Sequence, residues 1–130
     1  MMRLVSLSIV AVCSASIASA DSLQDCKQDK DQDIVISGCT DVIRTDPKAV
    51  WAYDKRAMAH LLKRNFDQAV ADYTKAIELD PKSMSSYMGR GDAYSMKEDY
   101  DHAIADYTVV IQFRRHQVAM ARRCVANALN

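Results

Sequence analysis

The sequence predicts an all-α solenoid, an array of helical hairpins stacked side by side. The first observation is self-similarity, because residues 50–83 align with residues 84–117 without gaps and eleven of the aligned pairs are identical. A fixed period of this length is the signature of a stacked-repeat protein. The other two observations are an apolar stripe that recurs three times and two Asp-Pro steps at the same repeat position, Asp46-Pro47 and Asp80-Pro81.

The apolar stripe consists of five positions spaced i, i+1, i+4, i+7 and i+8, which lie on one face of an α-helix. It occurs in one frame at Val35, Ile36, Cys39, Val42 and Ile43; at Ala69, Val70, Tyr73, Ala76 and Ile77; and at Ala103, Ile104, Tyr107, Val110 and Ile111. The stripe predicts the second helix of each hairpin, near residues 33–45, 67–79 and 101–113.

A first helix precedes each of these, near residues 22–29, 49–63 and 83–97. Proline ends one hairpin before the next begins, because it cannot continue a helix. Aspartates near the start of the second helices are expected to cap free backbone N–H groups; they are Asp33, Asp67 and Asp101. The predicted units are a degenerate repeat over 21–48, repeats over 50–83 and 84–115, and a C-terminal helix over 116–129.

The C-terminal segment is open to three interpretations. The repeat ends near residue 115, while apolar residues still recur at helical spacing as far as Leu129. The segment is a helix that caps the last hairpin, a continuation of the preceding helix, or the tail of a truncated array. Continuation is possible because no Pro or Gly interrupts residues 101–130.

Residues 1–20 have the pattern of a secretory signal peptide. Arg3 precedes a mainly apolar run over residues 4–12, and Ala18-Ser19-Ala20 is a small-residue cleavage pattern. A transmembrane anchor is disfavoured, because a span needs about 20 predominantly apolar residues and serines interrupt this run. We therefore expect cleavage after Ala20, a periplasmic or secreted location, and no stable membrane anchor in the mature chain.

The charge balance excludes a general attraction to nucleic acid or to an anionic membrane. The chain has 17 basic and 17 acidic residues, and cleavage after Ala20 removes only Arg3 from this balance. The distribution is uneven, because aspartates cluster at the start of the mature chain and arginines at its end. These clusters are either two solvated faces or the basis of head-to-tail self-association.

The two best-preserved units resemble the tetratricopeptide repeat, a 34-residue helix–turn–helix with the pattern W-x2-L-G-x2-Y, A-x3-F and P. The matching residues are Tyr53, Arg56, Ala57, His60, Ala69, Tyr73 and Pro81 in one unit and Tyr87, Arg90, Gly91, Tyr94, Ala103 and Tyr107 in the next. The family's usual turn glycine is replaced by Arg64 and Glu98, so we expect the turns to depend on Asn65 and Asp99. The resemblance implies an α-solenoid of about three such hairpins plus a C-terminal helix.

The resemblance also implies a concave face lined by the first helices. The inner-face positions of the family are Trp51, Asp54, Lys55, Met58, Leu61 and Leu62 in one unit and Ser85, Met88, Gly89, Asp92, Ser95 and Met96 in the next. The candidate partner-binding residues among them offer adaptable apolar contacts or orienting charges; they are Trp51, Asp54, Lys55, Met58, Met88, Asp92 and Met96. The family's chaperone-tail clamp needs lysine and asparagine where this chain has Asp54 and Met58, so that clamp is not expected.

Three of the four cysteines remain after cleavage. The repeat frame places Cys26 in the first helix and Cys39 in the second helix of one hairpin, both at inward positions. In an oxidising compartment such a pair is expected to form a disulfide, although two separate core cysteines are the alternative. Cys124 is left over, either buried or available for an intermolecular link.

The sequence contains no recognisable catalytic motif. It has no nucleophile motif, Gly-rich phosphate loop or HExxH, and no cysteine–histidine spacing typical of a metal site. Asp72 and Asp106 recur at one repeat position, as solvated or capping residues would. We therefore expect no enzyme activity, cofactor or metal, and predict a module that binds a peptide or partner surface. A self-associating scaffold and an accessory subunit of an envelope enzyme are the alternatives.

Overall fold

The computed structural model describes residues 19–128, with side chains for residues 19–123. Apart from Ser19 and Ala20, the predicted signal peptide lies outside the described residues. Six α-helices follow one another: α1 Ala20–Lys27, α2 Gln32–Thr45, α3 Val50–Leu62, α4 Phe66–Leu79, α5 Met84–Met96 and α6 Tyr100–Ala128. Residues 19–128 contain no strand, and the predicted all-α fold class is confirmed.

The helices pack as three consecutive hairpins, α1–α2, α3–α4 and α5–α6, and each hairpin also contacts the next. The first helices of neighbouring hairpins touch, α1 with α3 and α3 with α5, whereas no contact joins the second helices within the described chain. One-sided contacts of this kind curve a stack of repeats. The first helices therefore line the inner side, and the groove between α3 and α5 opens there.

The last helix is longer than the repeat requires. The structure has no break near residue 115, so residues 116–128 belong to α6 rather than to a separate C-terminal helix. Of the three interpretations of this segment, the structure shows the continuation. Every described side chain from Arg114 onwards is exposed, so this extension does not cover the last hairpin.

The apolar stripe forms the core between successive hairpins. Tyr73 is 2% exposed and its ring lies against Gly89 of α5, where an added Cβ would come within 2.3 Å of the ring. Only glycine leaves room for the tyrosine there. The third stripe differs, because Ile104 and Ile111 are 63% and 56% exposed. No hairpin within the described chain follows to cover them.

A largely buried arginine joins the second hairpin to the first. Arg56 Nε and Nη2 donate to the carboxylate of Asp72 on α4 at 2.8 and 2.7 Å. Its Nη1 donates to Thr40 Oγ1 on α2 at 3.0 Å. One guanidinium thus holds together the two helices of its own hairpin and one helix of the preceding hairpin, since its planar fork can engage several acceptors at once.

The same three residue types repeat the link one unit later. Arg90 donates to Asp106 at 2.8 and 2.8 Å and to Thr74 at 3.1 Å. Asp106 is 4% exposed and Asp72 is 7% exposed. The interpretation of these two aspartates as solvated or capping residues was therefore wrong, because each is the buried partner of an arginine.

The aspartates at the start of the second helices also act differently from the expectation. Asp33 is the second residue of α2, but the side chain that accepts from the first N–H groups belongs to Asp31. Asp33 instead pairs with Lys63 of the next hairpin, and Asp67 pairs with Lys97 in the same way. Both carboxylates still suit the positive end of the helix dipole.

The turns inside the second and third hairpins use non-glycine residues in the left-handed region. Arg64 and Glu98 have φ values of 63° and 64°. In the first of these turns, Arg64 N–H donates to Leu61 O and Asn65 N–H donates to His60 O, at 2.9 and 2.8 Å, which is the Schellman pattern. The expectation that Asn65 and Asp99 adopt the unusual backbone angles was wrong, and the left-handed residues carry a strain of about 1 kcal/mol each.

The first hairpin is closed covalently. A disulfide joins Cys26 of α1 to Cys39 of α2, with an S–S distance of 2.02 Å and a Cα–Cα distance of 4.5 Å. Gly38 permits this close approach, because an added Cβ there would lie 2.7 Å from the backbone N of Cys26. In the repeat frame Ser22 and Gly38 occupy the positions of Arg56 and Asp72, so the first hairpin lacks the arginine–aspartate pair of the other hairpins and has a disulfide instead.

The arginine link leads to a prediction about stability. We expect Asp72→Asn to lower the free energy of unfolding by about 3 kcal/mol, because it leaves a largely buried guanidinium without its ionic partner. The matched control is Asp67→Asn, which removes an exposed carboxylate paired with Lys97 and should cost far less. Urea denaturation followed by circular dichroism measures both. Equal losses in the two variants would contradict the proposed role of Asp72.

Candidate functional site

The central groove is a cavity of about 340 Å³ between α3 and α5. Five of the seven candidate binding residues lie in its wall: Asp54, Lys55, Met58, Met88 and Asp92. Ser85, Gly89 and Tyr73 complete the lining. A larger concavity, of about 570 Å³, is lined only by residues of the exposed extension of α6. Because a single helix forms it, it lacks the opposing wall that a binding groove needs.

The repeat frame determines how the groove residues alternate. Asp54 on α3 and Met88 on α5 occupy the same position in successive repeats, and so do Met58 and Asp92. Residues four apart share one face of a helix. Each helix therefore presents one carboxylate and one methionine to the groove, in opposite order along the chain. Both methionine side chains are exposed.

Asp54 is held by two hydroxyl groups of the neighbouring hairpin. Ser86 Oγ donates to Asp54 Oδ1 at 2.6 Å, and Ser85 Oγ donates to Oδ2 at 3.3 Å. Burial raises the pKa of Asp54, and the two hydrogen bonds oppose that shift because they stabilise the carboxylate. The serines thus fix a partly desolvated carboxylate in the groove and connect α3 to α5.

Asp92 meets a tyrosine of its own hairpin. Tyr107 Oη donates to Asp92 Oδ1 at 2.6 Å. Burial and the neighbouring Asp92 raise the pKa of Tyr107 to about 12. Tyr73 is the equivalent tyrosine of the preceding repeat, but Met58 occupies the position of Asp92, so no aspartate there accepts a hydrogen bond from Tyr73.

The hydroxyl of Tyr73 consequently remains open. Sequence reasoning treated Tyr73 as a core residue, and its ring is indeed buried, but the residue also lines the groove. Its hydroxyl makes no hydrogen bond among residues 19–123, and it is not one of the buried polar atoms left without a partner there, so it is accessible from the groove. Burial raises the pKa of Tyr73, and the charges of Asp54 and Asp92 raise it further. Comparing positions 58 and 92 across the repeats was the signal that could have revealed this open hydroxyl.

Lys55 is the one cationic side chain in the groove lining, and it is already paired. Its Nζ lies 2.7 Å from Oδ1 of Asp29, which belongs to the loop between α1 and α2. The charges of Asp54 and Asp92 are therefore not offset by a free cation in the lining. The groove is therefore acidic, and Met58 and Met88 form its two apolar corners.

Trp51 and Met96 lie outside the central groove. Trp51 is exposed, and Lys27 Nζ lies 5.7 Å from the centre of its ring. Met96 helps to line a second cavity of about 320 Å³, together with Leu61, Leu62, Arg64 and Phe66. This second cavity lies one to two helical turns further along α3 and α5 than the central groove. The structure thus separates two candidates from the other five.

Other chemistry finds little support in the described residues. Residues 19–123 contain no cluster of three or more His, Cys, Asp or Glu side chains suited to a metal ion. None of the helices within residues 19–128 combines the length and the apolar character needed to cross a membrane. His60 is an interior side chain whose pKa is lowered by burial, and it does not line the groove.

Comparison with known proteins places this geometry in a family context. The model for the tetratricopeptide repeat matches residues 51–83. A structure of the second TPR of Spaghetti (RPAP3) bound to the HSP90 peptide SRMEEVD superposes with a TM-score of 0.69 and 23% identity, covering 76% of this chain and 94% of that chain.

A crystal structure of MamA protein superposes with a TM-score of 0.72 and 18% identity, covering 82% of this chain and 59% of that chain. The comparison with curated proteins found no match. At these identities the structural neighbours show the fold alone. Residues 51–83 thus match the tetratricopeptide repeat, and the described chain folds as a stack of similar helical hairpins.

Proposed function

We propose that this protein is an interaction module that binds a peptide or an extended segment of a partner protein in the central groove. The observation that carries the proposal is the gathering of five candidate side chains from α3 and α5 around one cavity. Exposed methionines supply adaptable apolar contacts, and carboxylates fixed by hydrogen bonds supply orientation. A structural neighbour that carries a bound peptide in the same fold supports the ligand class.

The size and direction of the groove favour an extended segment. A cavity of about 340 Å³ lies at the lower end of ligand-site volumes and suits one or two side chains. The second cavity, at Leu62 and Met96, continues in the direction of the helix axes. With a rise of about 1.5 Å per helical residue, the two cavities are roughly 10 Å apart, which an extended peptide spans in about three residues.

The groove proposal predicts the effect of removing its apolar corners. We expect Met58→Ala/Met88→Ala to weaken binding of a peptide selected on the full chain by about tenfold or more, because two thioether contacts with the ligand are lost. The control, Val118→Ala/Met120→Ala, trims exposed apolar residues on the extension of α6. Isothermal titration calorimetry compares the two variants. Unchanged affinity in the groove variant would reject this groove as the binding site.

The cellular location follows as a separate proposal, namely that the chain is exported. Its support is the signal-like pattern of residues 1–20 together with the Cys26–Cys39 disulfide, since disulfides persist mainly in oxidising compartments. The exported chain is expected to begin at Asp21 and to yield a linked peptide containing both cysteines when digested without reductant.

Reduction tests what this disulfide contributes to the exported chain. It should lower the free energy of unfolding by about 3 kcal/mol, the chain-entropy value for a loop of this length. Cys26→Ser/Cys39→Ser is the control, because it should not respond to reductant. Recovery of an uncleaved N-terminus with two free thiols would contradict export.

Self-association is a second candidate function, favoured by the exposed apolar residues Ile104 and Ile111 on α6. In the preceding repeat, Val70 packs against the cluster that contains Ala93 of the next hairpin. Its equivalent Ile104 has no such cover within the described chain, and neither does Ile111. A second copy supplies an occupant, because its aspartate-rich first hairpin complements the arginines of α6 in charge.

Sedimentation over a range of protein concentrations tests the self-association. Ile104→Lys/Ile111→Lys should lower the concentration-dependent rise in mean mass, since it places two charges in the apolar contact. Met120→Lys, at an exposed site outside the apolar stripe, should leave that rise unchanged. A mass that stays at one monomer at every concentration would refute this second function.

A further inference from the structure

From the central groove we infer the chemistry of its ligand: a peptide segment that inserts a basic side chain, arginine in preference to lysine, between Asp54 and Asp92. This inference rests on the proposed function and adds the residue type that the groove recognises. Three independent features of the groove support it: its charge, its open hydrogen-bonding groups and its apolar corners.

The charge of the groove favours a cation. Asp54 and Asp92 contribute two carboxylates to the lining, while the charge of Lys55 is offset by Asp29 at 2.7 Å. Asp80 lies near enough to Asp54 to raise the pKa of its carboxyl further. An approaching cation lowers the energy of these partly desolvated carboxylates, whereas an acidic segment is repelled.

The open hydrogen-bonding groups favour a side chain with several donors. Tyr73 is 2% exposed, yet its hydroxyl has no partner among residues 19–123. Asp92 Oδ1 accepts from Tyr107, but Oδ2 has no partner within the same residues. The hydroxyl oxygen of Tyr73 and the carboxylates of Asp54 and Asp92 can all accept hydrogen bonds. A guanidinium carries five N–H donors in a rigid plane to offer them, while an ammonium has three.

The apolar corners complete the match. Met58 and Met88 are both exposed at the groove. An arginine side chain has a three-carbon stem that buries well against thioethers while the charged end reaches the carboxylates. The neighbour's peptide SRMEEVD carries three carboxylate side chains and one arginine. Asp54 and Asp92 in the groove of this chain favour a basic ligand over such an acidic one.

A peptide selection tests the inference even though the natural ligand is unidentified. A random heptapeptide library displayed on phage is selected against the immobilised full chain and sequenced. We expect enrichment of arginine, and less strongly of lysine, next to an apolar residue. A synthetic copy of a selected peptide is then made in which citrulline, a neutral residue of similar shape, replaces arginine. In calorimetry this peptide should bind about tenfold more weakly than the arginine peptide.

Variants of the protein then locate the charge. Asp54→Asn/Asp92→Asn should bind the arginine peptide about tenfold more weakly and abolish the difference between the arginine and citrulline peptides. Asp33→Asn/Asp101→Asn removes the same net charge from exposed sites on α2 and α6, away from the groove, and should preserve that difference. Circular dichroism checks the fold of each variant. The comparison of the arginine and citrulline peptides uses the unaltered protein, so it does not depend on how the variants fold.

The outcomes separate this inference from the proposed function. Selected peptides that lose affinity with Met58→Ala/Met88→Ala but contain no enriched basic residue would overturn the inference and leave the groove function standing. Equal affinity for the arginine and citrulline peptides would overturn it as well. A selection that enriches no peptide at all would overturn both.

Discussion

The architecture depends on one largely buried guanidinium per hairpin junction. Arg56 engages Asp72 with two parallel bonds and Thr40 with a third, and these residues belong to α3, α4 and α2. Removing a partner from a charge in this position is strongly destabilising. The interaction therefore constrains the relative positions of three helices at once. Arg90 repeats the constraint, and together the two arginines place α3 beside α5 and so create the groove between them.

The first hairpin shows what replaces this constraint when it is absent. Ser22 and Gly38 occupy the positions that arginine and aspartate hold in the later repeats. Without the ion pair, a glycine allows α1 and α2 to approach closely, and the Cys26–Cys39 disulfide closes the pair. The shortest helix of the array thus relies on a covalent bond that forms in oxidising surroundings. The loss of the ion pair in the first repeat and the proposed export are thus physically linked through this disulfide.

The sequence encodes the fold more completely than the site. A period of 34 residues and an apolar stripe determine which faces are buried, so helix order and the approximate bounds of α2 to α5 followed from the pattern alone. The pattern does not determine which atoms of other residues a given side chain contacts. Asp72 was assigned to the surface because recurrence alone cannot distinguish a buried ion pair from a solvated residue. Arg64 and Glu98 were passed over because residues without special backbone preferences adopted the left-handed turn under tertiary constraint.

The groove arises where the two preserved repeats differ. Identical residues, such as Arg56 and Arg90, build the scaffold, because each hairpin needs the same junction. Position 58 is equivalent to position 92, where Asp92 accepts a hydrogen bond from Tyr107. An aspartate at position 58 would give Tyr73 the same acceptor, and the groove would present no open hydroxyl. Methionine at that one position leaves the Tyr73 hydroxyl without a protein partner beside two carboxylates, so the hydroxyl oxygen is available to accept a hydrogen bond from a ligand rich in donors. In a repeat protein the mismatches between otherwise superposable units are therefore where the search for a ligand begins.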